Sequence, residues 1–258
     1  RLRAPRRATA LLRAAAAGRR ELAGSTPAPP SVLNRATGPR RRSTLVDLDA
    51  EPLAAAAHTL GASVNDVVLV AVGEAMRAAA ATRGEHVDPV VVSVPVAVRG
   101  PRPGSTGNAV GVMPVAVPTS GDLVARVRAV TAQRRARLDG DHGRSLPLVL
   151  LAFRVLRVLH LVRRYLDRQR LVNTLLTALP AVPGPLRVGG AEVSAVVPLV
   201  PNRGNTTVAF ASARYRGRLV VSVVGDPDTG PDDEAVAGAV RRTLEEVVAL
   251  AGATVTAP

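Results

Sequence analysis

The sequence predicts an α/β domain in which helices cover a sheet. Strand-like and helix-like segments alternate in the first half of the chain, and a later run of strand-like segments ends in one long helical segment. A nearly continuous valine segment at residues 90–98 is typical of a strand that is buried on both faces. This order of elements indicates a layered architecture, and 258 residues are enough to bury one substantial core.

The predicted elements follow a basic arm and a proline-rich linker at residues 1–32, and residues 33–258 are predicted as one domain. Turn residues separate the strands, and three- and four-residue apolar spacing marks the helices. The predicted strands are Ser43–Leu48, Val90–Val98, Asn108–Val117, Leu171–Leu179, Leu186–Val197, Thr206–Tyr215 and Leu219–Val224. The predicted helices are Glu51–Leu60, Ala62–Arg77, Asp122–Leu138, Leu146–Leu166 and Asp232–Leu250.

Composition limits the chemistry that this chain can perform. Aromatic residues make up only 2% of it, so valine, leucine and alanine must fill the core. All 34 basic residues are arginine and isoleucine is absent, which indicates a GC-rich genome such as that of an actinobacterium. The absence of cysteine excludes disulfides, thiol catalysis and cysteine-based metal sites. No signal peptide is evident, and no apolar run has the length of a membrane span. The first methionine is Met76, so we expect a fragment or a processed piece.

A formal charge of +14 and a pI near 11.7 will attract phosphates of any kind. Nucleic acid, anionic lipid and a phosphorylated coenzyme all carry them, so charge alone does not choose among these partners. Nucleic acid is disfavoured because two Phe and two Tyr provide few stacking groups. Arginines scattered over apolar helices also form no recognisable reading element.

The predicted helix Ala62–Arg77 carries the clearest local signal in the chain. Ser63 stands at the N-cap position and Asp66 follows three residues later, which is the spacing of a capping box. Asn65 projects from the first turn, beside backbone N–H groups that have no partner within the helix. The arrangement serves either architecture alone or a polar site. If Asp66 only caps the helix, its replacement by alanine should cost about 1 kcal/mol.

Residues Leu146–Arg170 predict an amphipathic helix with a cationic face. The apolar strip consists of Leu148, Leu151, Val155, Leu159 and Val162, and the flanking arginines are Arg154, Arg157, Arg163, Arg164 and Arg168. We expect this helix to contact a membrane surface or the other half of an enzyme. The alternative is a core helix whose arginines face solvent.

Five segments of the chain stand in a recognisable order. They are LNRATGPRRR (Leu33–Arg42), ASVNDVVLVAVGEAMR (Ala62–Arg77), PVVVSVPVAVRG (Pro89–Gly100), GNAVGVMPVAVP (Gly107–Pro118) and VPGPLRVGGAEV (Val182–Val193). In this order they resemble the C-terminal half of the bacterial wax ester synthase/diacylglycerol acyltransferase (WS/DGAT) family. The second segment resembles the family's asparagine–aspartate motif.

This resemblance implies one half of a coenzyme A-dependent acyltransferase fold, similar to chloramphenicol acetyltransferase, with a mixed sheet flanked by helices. It implies a complete enzyme that transfers a fatty acyl group from acyl-CoA to diacylglycerol or a long-chain alcohol. Acyl-CoA is then a co-substrate, and no bound cofactor is expected. This half forms part of the substrate channel, and its partner is an N-terminal half, in the same or a separate chain, that carries the catalytic HHxxxDG motif. We expect a cytoplasmic protein, peripheral on the inner face of the plasma membrane or on lipid droplets.

The resemblance also indicates candidate residues for the acyl-CoA and acceptor channel. Asn65 and Asp66 are the first candidates, because they match the family's asparagine–aspartate motif. The further candidates match other family segments and are Arg99, Asn108, Pro183, Gly184 and Pro185. Each of these also has a structural interpretation as a strand end, a strand start or a turn.

No catalytic base is predicted in this chain. The four histidines are dispersed at His58, His86, His142 and His160, and none forms an HHxxxDG motif. His142 lies in a Gly/Asp-rich loop without a second histidine. There is no G-x-S-x-G segment, and GPRPGSTGN lacks the lysine of a phosphate loop. The acidic segment GDPDTGPDD is predicted as a turn and helix cap, so no metal site is expected.

Two departures from the family pattern leave a second interpretation open. Pro180 and Ala181 stand where the family usually has Ser or Thr followed by Asn, and PNRGNTT (Pro201–Thr207) stands where relatives often have Asp-Gly. The alternative function is therefore a non-catalytic half that pairs with a separate chain carrying HHxxxDG and contributes binding or scaffolding.

Overall fold

The computed structural model describes residues 27–97, 110–138 and 154–256. Its strands are β1 (Arg42–Asp49), β2 (Val90–Ala97), β3 (Val110–Val117), β4 (Thr174–Ala178), β5 (Arg187–Val188), β6 (Ala191–Glu192), β7 (Val208–Tyr215) and β8 (Arg218–Gly225). Six of them form one sheet in the order β1-β8-β7-β4-β2-β3, while β5 and β6 form a separate two-stranded hairpin.

The six-stranded sheet is mixed. β4 runs parallel to both of its neighbours, with Thr174 opposite Val92 of β2 and Leu176 opposite Phe210 of β7. The remaining pairs, β1–β8, β7–β8 and β2–β3, are antiparallel. Because parallel strands need long crossover connections, the central position of β4 forces the chain to leave the sheet between β3 and β4.

The helices are α1 (Ala50–Thr59), α2 (Val64–Ala81), α3 (Leu123–Leu138), α4 (Val162–Leu166) and α5 (Asp233–Thr256). α2 packs against α5, and α5 also packs against α1 and β1, while α3 packs against α2 and β3. The core joins these helices to alternate strand residues such as Val46, Val221 and Phe210. The predicted mixed sheet with flanking helices is thus confirmed, as are the predicted positions of α1, α2, α3 and α5.

Gly73 allows α2 to approach the sheet closely. A Cβ atom at this position would lie 2.5 Å from Cγ1 of Val117, a fully buried residue at the end of β3. Small and β-branched residues therefore replace the missing aromatics by letting the layers pack at short range.

The predicted strand Leu186–Val197 is wrong. The structure has only the short hairpin β5–β6 here, and no regular structure follows it up to residue 207. Gly189 and Gly190 have φ angles of 58° and 83°, which glycine adopts without strain and which turn the chain back on itself. The segment was predicted as one strand, but its glycine pair makes a turn.

The predicted continuous helix Leu146–Leu166 is also wrong in its described part. Residues 154–158 are helical, but the helix ends before His160, whose φ angle is 55°. The N–H of Leu161 donates to Leu156 O and the N–H of His160 to Arg157 O, which is the hydrogen-bond pattern of a Schellman motif. Glycine normally marks this position, so no local signal predicts the break. Residues 146–153 lie outside the described part.

The described part of the predicted linker has no helix or strand but is held firmly. The N–H of Ala28 donates to Arg170 O, and the N–H of Val32 donates to the carboxylate of Glu85. The predicted arm at residues 1–26 lies outside the described residues. Within those residues, no single helix is long and apolar enough to cross a membrane, and the pair α1–α2, which passes together, is bent by 96°.

Candidate functional site

The N-terminus of α2 has the predicted capping box. The N–H of Asp66 donates to Ser63 Oγ at 3.3 Å, and the N–H of Ser63 donates to Asp66 Oδ2 at 2.8 Å. The Ser63 hydroxyl also donates to the same carboxylate oxygen at 2.7 Å. These bonds satisfy groups that would otherwise be unpaired at the helix end.

Asp66 also binds a residue that the sequence analysis did not connect with it. Arg134 of α3 forms an ion pair with Oδ1 of Asp66 and donates through Nη2 to Oδ2 at 3.1 Å. Asp66 is fully buried, and Arg134 is only 22% exposed. Burial raises the pKa of Asp66, but hydrogen bonds from Arg134 and Ser63 outweigh this and hold that pKa below its ordinary value. Asp66 therefore ties α2 to α3 as a charged group.

Asn65 has the opposite environment. Its side chain is exposed in the first turn of α2, and within the described residues it makes no hydrogen bond. The buried ion pair of its neighbour fixes the backbone from which Asn65 projects. Of the two first candidates, only Asn65 is accessible to a substrate.

The candidates Pro183, Gly184 and Pro185 lie in an exposed turn before β5. Tyr215 anchors the segment that follows, because its hydroxyl accepts from the N–H of Leu186 at 2.9 Å and donates to Val193 O at 3.0 Å. Gly184 and Pro185 line a shallow surface depression together with Val182, Glu192 and Arg216. Among the described residues, no hydrogen bond joins this turn to Asn65 or Asp66. Arg99 and Asn108 lie outside the described residues, as does His142.

A buried amide network was missed by sequence reasoning. Asn173 precedes β4 and is 2% exposed. Its Oδ1 accepts from the N–H of Val91 at 2.9 Å, and its Nδ2 donates to Pro29 O and to Asn34 Oδ1, each at 2.9 Å. Asn34 in turn donates to Asn173 O and to Asn205 O. The network joins β2, β4 and the segment that begins at residue 27.

Asn205 extends this network to the chain before β4. Its Nδ2 donates to Gln169 O and its Oδ1 accepts from Gln169 Nε2. The only sequence signal was the segment PNRGNTT, which contains Asn205 and stands where relatives often have Asp-Gly. The structure gives these residues hydrogen bonds within this chain, because Thr207 Oγ1 donates to Leu33 O and Asn202 Nδ2 donates to Thr207 O.

The segment LNRATGPRRR has a structural role that explains several of its residues. The N–H of Gly38 donates to Asp226 Oδ2 at 2.6 Å, and Arg40 pairs with Asp228. Arg41 donates to Asn202 O at 2.8 Å. Burial raises the pKa of Asp226, but the backbone N–H groups of Asp228 and Gly38 outweigh this and lower it. The acidic turn therefore binds backbone and arginine groups of this protein, and no described cluster of three acidic or histidine residues is arranged for a metal.

Asp233 is the exception among these carboxylates. It is 2% exposed at the start of α5, and within the described residues its Oδ1 has no hydrogen-bond partner. Burial raises its pKa to about 6, with Arg42 opposing the shift and Asp232 and Asp226 adding to it. Gly225 faces it so closely that a Cβ atom there would overlap Asp233.

We expect Asp233→Asn to stabilise the protein at pH 7 by about 2 kcal/mol. Because the folded-state pKa is raised, unfolded chains release this proton first, and wild-type stability falls as pH rises from about 4 to about 6. The variant lacks this loss, so urea unfolding at pH 4, 5, 6 and 7 should show a growing gap. Glu234→Gln also removes one carboxylate, but at an exposed position that does not contribute to the shift at Asp233, and it should give no such gain. Equal or lower stability of Asp233→Asn at pH 7 would contradict the prediction.

Comparison with known families gives two matches along the chain. Residues 106–247 match the model of the WS/DGAT C-terminal domain. Residues 1–68 match the model of the wax ester synthase/diacylglycerol acyltransferase catalytic domain. The first match covers more than half of the chain. The division at residue 32 stays a prediction.

Two proteins of Mycobacterium tuberculosis, provisionally named diacylglycerol O-acyltransferases, are among the similar sequences. One is 28% identical over 237 residues, which are 88% of this chain and 50% of that protein. The other is 26% identical over 214 residues, which are 82% of this chain and 45% of that protein. The chain thus spans about half the length of the curated relatives that it matches.

Solved structures show the same fold. The wax ester synthase/diacylglycerol acyltransferase from Marinobacter aquaeolei VT8 superposes with a TM-score of 0.68 at 19% identity, covering 96% of this chain and 57% of that one. The epimerization domain from the third module of tyrocidine synthetase B superposes with a TM-score of 0.58 at 15% identity, covering 94% and 56%. These likenesses confirm the predicted half of a chloramphenicol acetyltransferase-like fold.

Proposed function

Because the chain belongs to the wax ester synthase/diacylglycerol acyltransferase family, we propose that it is the C-terminal part of an acyl-CoA-dependent O-acyltransferase. The acceptor in this proposal is diacylglycerol or a long-chain alcohol, as the family name indicates. The observation that carries the proposal is the match of residues 106–247 to the family's C-terminal domain. The fold shared with the Marinobacter enzyme supports it.

The proposed reaction transfers an acyl group from sulfur to oxygen. The acceptor hydroxyl attacks the thioester carbon of acyl-CoA, the C–S bond breaks, and coenzyme A leaves as the thiol. A base must take the hydroxyl proton. Described histidines do not suggest one here, since all three are exposed: His58 on α1, His86 in the loop before β2, and His160 on a surface turn. We propose that the base belongs to an N-terminal half carrying HHxxxDG.

We propose that this half contributes Asn65 to the channel wall and that Asp66 is a positioning residue. Asn65 is exposed and unpaired in the described structure, so its amide is available to a substrate. Among the described residues, the hydrogen bonds of the Asp66 carboxylate go to Ser63 and Arg134. These hydrogen bonds restrain the first turn of α2, so the neighbouring Asn65 is held in one position.

The alternative is a non-catalytic half that pairs with a separate active chain. The observation that favours it is the replacement of family polar residues by Pro180 and Ala181 before the Val182–Pro185 turn. Such a half would still bind its partner, but replacing its exposed polar residues would not alter the partner's activity.

The test combines the chain with an N-terminal half that carries HHxxxDG. We expect no turnover of palmitoyl-CoA and diacylglycerol by the chain alone, and measurable ester formation by the combination. Asn65→Ala should lower that activity at least about tenfold and leave stability within about 0.5 kcal/mol. Glu51→Ala, an exposed first-turn residue of α1, is the matched control.

Each outcome distinguishes the proposals. Turnover by the chain alone would contradict the assignment of the base to the other half. Activity of the combination that is indifferent to Asn65→Ala would remove Asn65 from the channel and favour the non-catalytic alternative. No ester formation under any condition would overturn the acyltransferase proposal itself.

A further inference from the structure

Residues 154–168, which we term the arginine surface, combine two kinds of exposed side chain. Val155, Val158, Leu159 and Leu161 are 49%, 71%, 57% and 39% exposed. The exposed arginines of the same segment are Arg154, Arg157, Arg163, Arg164 and Arg168. The described part of the predicted apolar strip is therefore exposed. This rules out, for that part, the alternative of a core helix whose arginines face solvent.

The arginine surface is held in place by the amide network. The N–H of Asn205 donates to Leu166 O at 3.0 Å. Gly204 fits directly beneath, because a Cβ atom there would lie 2.4 Å from Leu166 O. The Schellman motif at His160 fixes the angle between the two helical pieces. The exposed side chains thus stand on ordered backbone, which lowers the entropy that a partner must remove on binding.

The charge of the arginine surface is mostly uncompensated. Asp167 lies 3.7 Å from Arg163 and is the only carboxylate of the segment. Among the described residues, no carboxylate pairs with the other four arginines. A shallow groove runs through the surface and is lined by Ala36, His160, Arg163, Arg164, Asp167 and Arg168. This arrangement suits several phosphates spread over a plane.

The four exposed aliphatic side chains indicate which kind of phosphate-bearing partner fits the arginine surface. A soluble phosphate compound would use the arginines alone and leave four aliphatic groups in water. Nucleic acid would likewise leave the four aliphatic groups in water, and Tyr165 is the only Phe, Tyr or Trp of the segment that could stack on a single strand. A phospholipid surface offers phosphates and acyl chains together, and arginine stems can lie along the apolar layer while their guanidinium groups reach the phosphates.

We propose that the arginine surface binds an anionic phospholipid bilayer, with Val155, Val158, Leu159 and Leu161 entering the headgroup–acyl boundary and the arginines contacting phosphates. The binding needs no acyl transfer and can be measured without it. Its failure is therefore distinguishable from failure of the acyltransferase proposal.

The first test is sedimentation of the chain with vesicles of phosphatidylcholine and with vesicles containing about 30% phosphatidylglycerol. Binding should require the anionic lipid and weaken as salt rises. The double variant Arg157→Glu/Arg164→Glu should lose at least about tenfold in partition coefficient. Arg128→Glu/Arg242→Glu changes the net charge equally at exposed positions of α3 and α5 and should bind nearly as wild type. Equal losses in both pairs, or no loss in either, would overturn the proposal.

The second test separates lipid from its alternatives. Val158→Ser/Leu159→Ser changes exposed residues, so circular dichroism should show an intact fold, yet vesicle binding should fall about tenfold. Unchanged binding of this variant would indicate a phosphate site without bilayer insertion. A third outcome combines two observations: adding an N-terminal half abolishes vesicle binding by the wild-type chain, and Val158→Ser/Leu159→Ser abolishes association with that half. The arginine surface would then be a contact between the two halves. Either result would overturn the proposal.

Discussion

Replacing Asp66 with alanine should destabilise the protein by about 3 kcal/mol, well beyond the 1 kcal/mol or so of a simple cap. The substitution removes the acceptor of the Ser63 N–H and also leaves Arg134, only 22% exposed, without its counter-ion. Since Arg134 can partly reach water, the cost should lie at the lower end for broken buried pairs. Urea unfolding at pH 7, read from the midpoint at constant slope, measures it.

A double-mutant cycle isolates the ion pair from the cap. Arg134→Ala alone should cost less than Asp66→Ala, because Asp66 keeps its hydrogen bonds from Ser63. The double variant should cost at least about 1 kcal/mol less than the sum of the two single changes. The pKa of Asp66 is lowered, so its contribution is present above about pH 4 and is lost as pH falls through the folded-state pKa. Strict additivity, or a pH-independent gap, would refute the coupling.

Replacing Asn173 with alanine should cost about 3–4 kcal/mol. The substitution leaves the N–H of Val91 and the oxygens of Pro29 and Asn34 without their partner in a site that is almost fully buried. An unsatisfied buried polar group costs about 1–3 kcal/mol, and a small cavity adds to this. Chemical unfolding gives the total, and faster hydrogen exchange at the Val91 amide would locate the damage.

Two variants serve as comparisons for Asn173→Ala. Asn65→Ala removes the same group from an exposed position and should change stability by less than about 0.5 kcal/mol. Asn173→Asp keeps the shape and the acceptor for Val91 but replaces the donor to Pro29 O, so it should be at least as harmful at pH 7. A harmless Asn173→Asp would mean that the site depends on packing and that the network is not required.

Features decided by neighbouring residues were predictable from the sequence. The capping box joins residues three positions apart, so Ser63 and Asp66 could be paired before any fold was known. Apolar spacing located α2 and α5, because this period follows from helix geometry, and turn residues located the ends of β7 and β8. The family was predictable because five short segments keep their order along the chain, even where overall sequence identity is low.

Features decided by distant residues were not predictable. Arg134 lies 68 positions from Asp66, and Asn173 lies 82 positions from Val91 and 144 from Pro29. Any of several asparagines could have been buried, and only the parallel placement of β4 between β2 and β7 brings this one to those partners. The channel role of Asn65 stays a prediction, because it too depends on residues that are distant in sequence.

The two wrong elements show where the local pattern fails. Gly189 and Gly190 were visible in Leu186–Val197, which was nevertheless predicted as one strand, and the turn formed because glycine adopts positive φ without strain. At His160 there was no such signal, since histidine rarely takes that conformation. There the fold decides. The backbone N–H of Asn205 donates to Leu166 O, and Gly204 packs against the same carbonyl, so backbone contacts from a segment distant in sequence hold the second helical piece at its own angle.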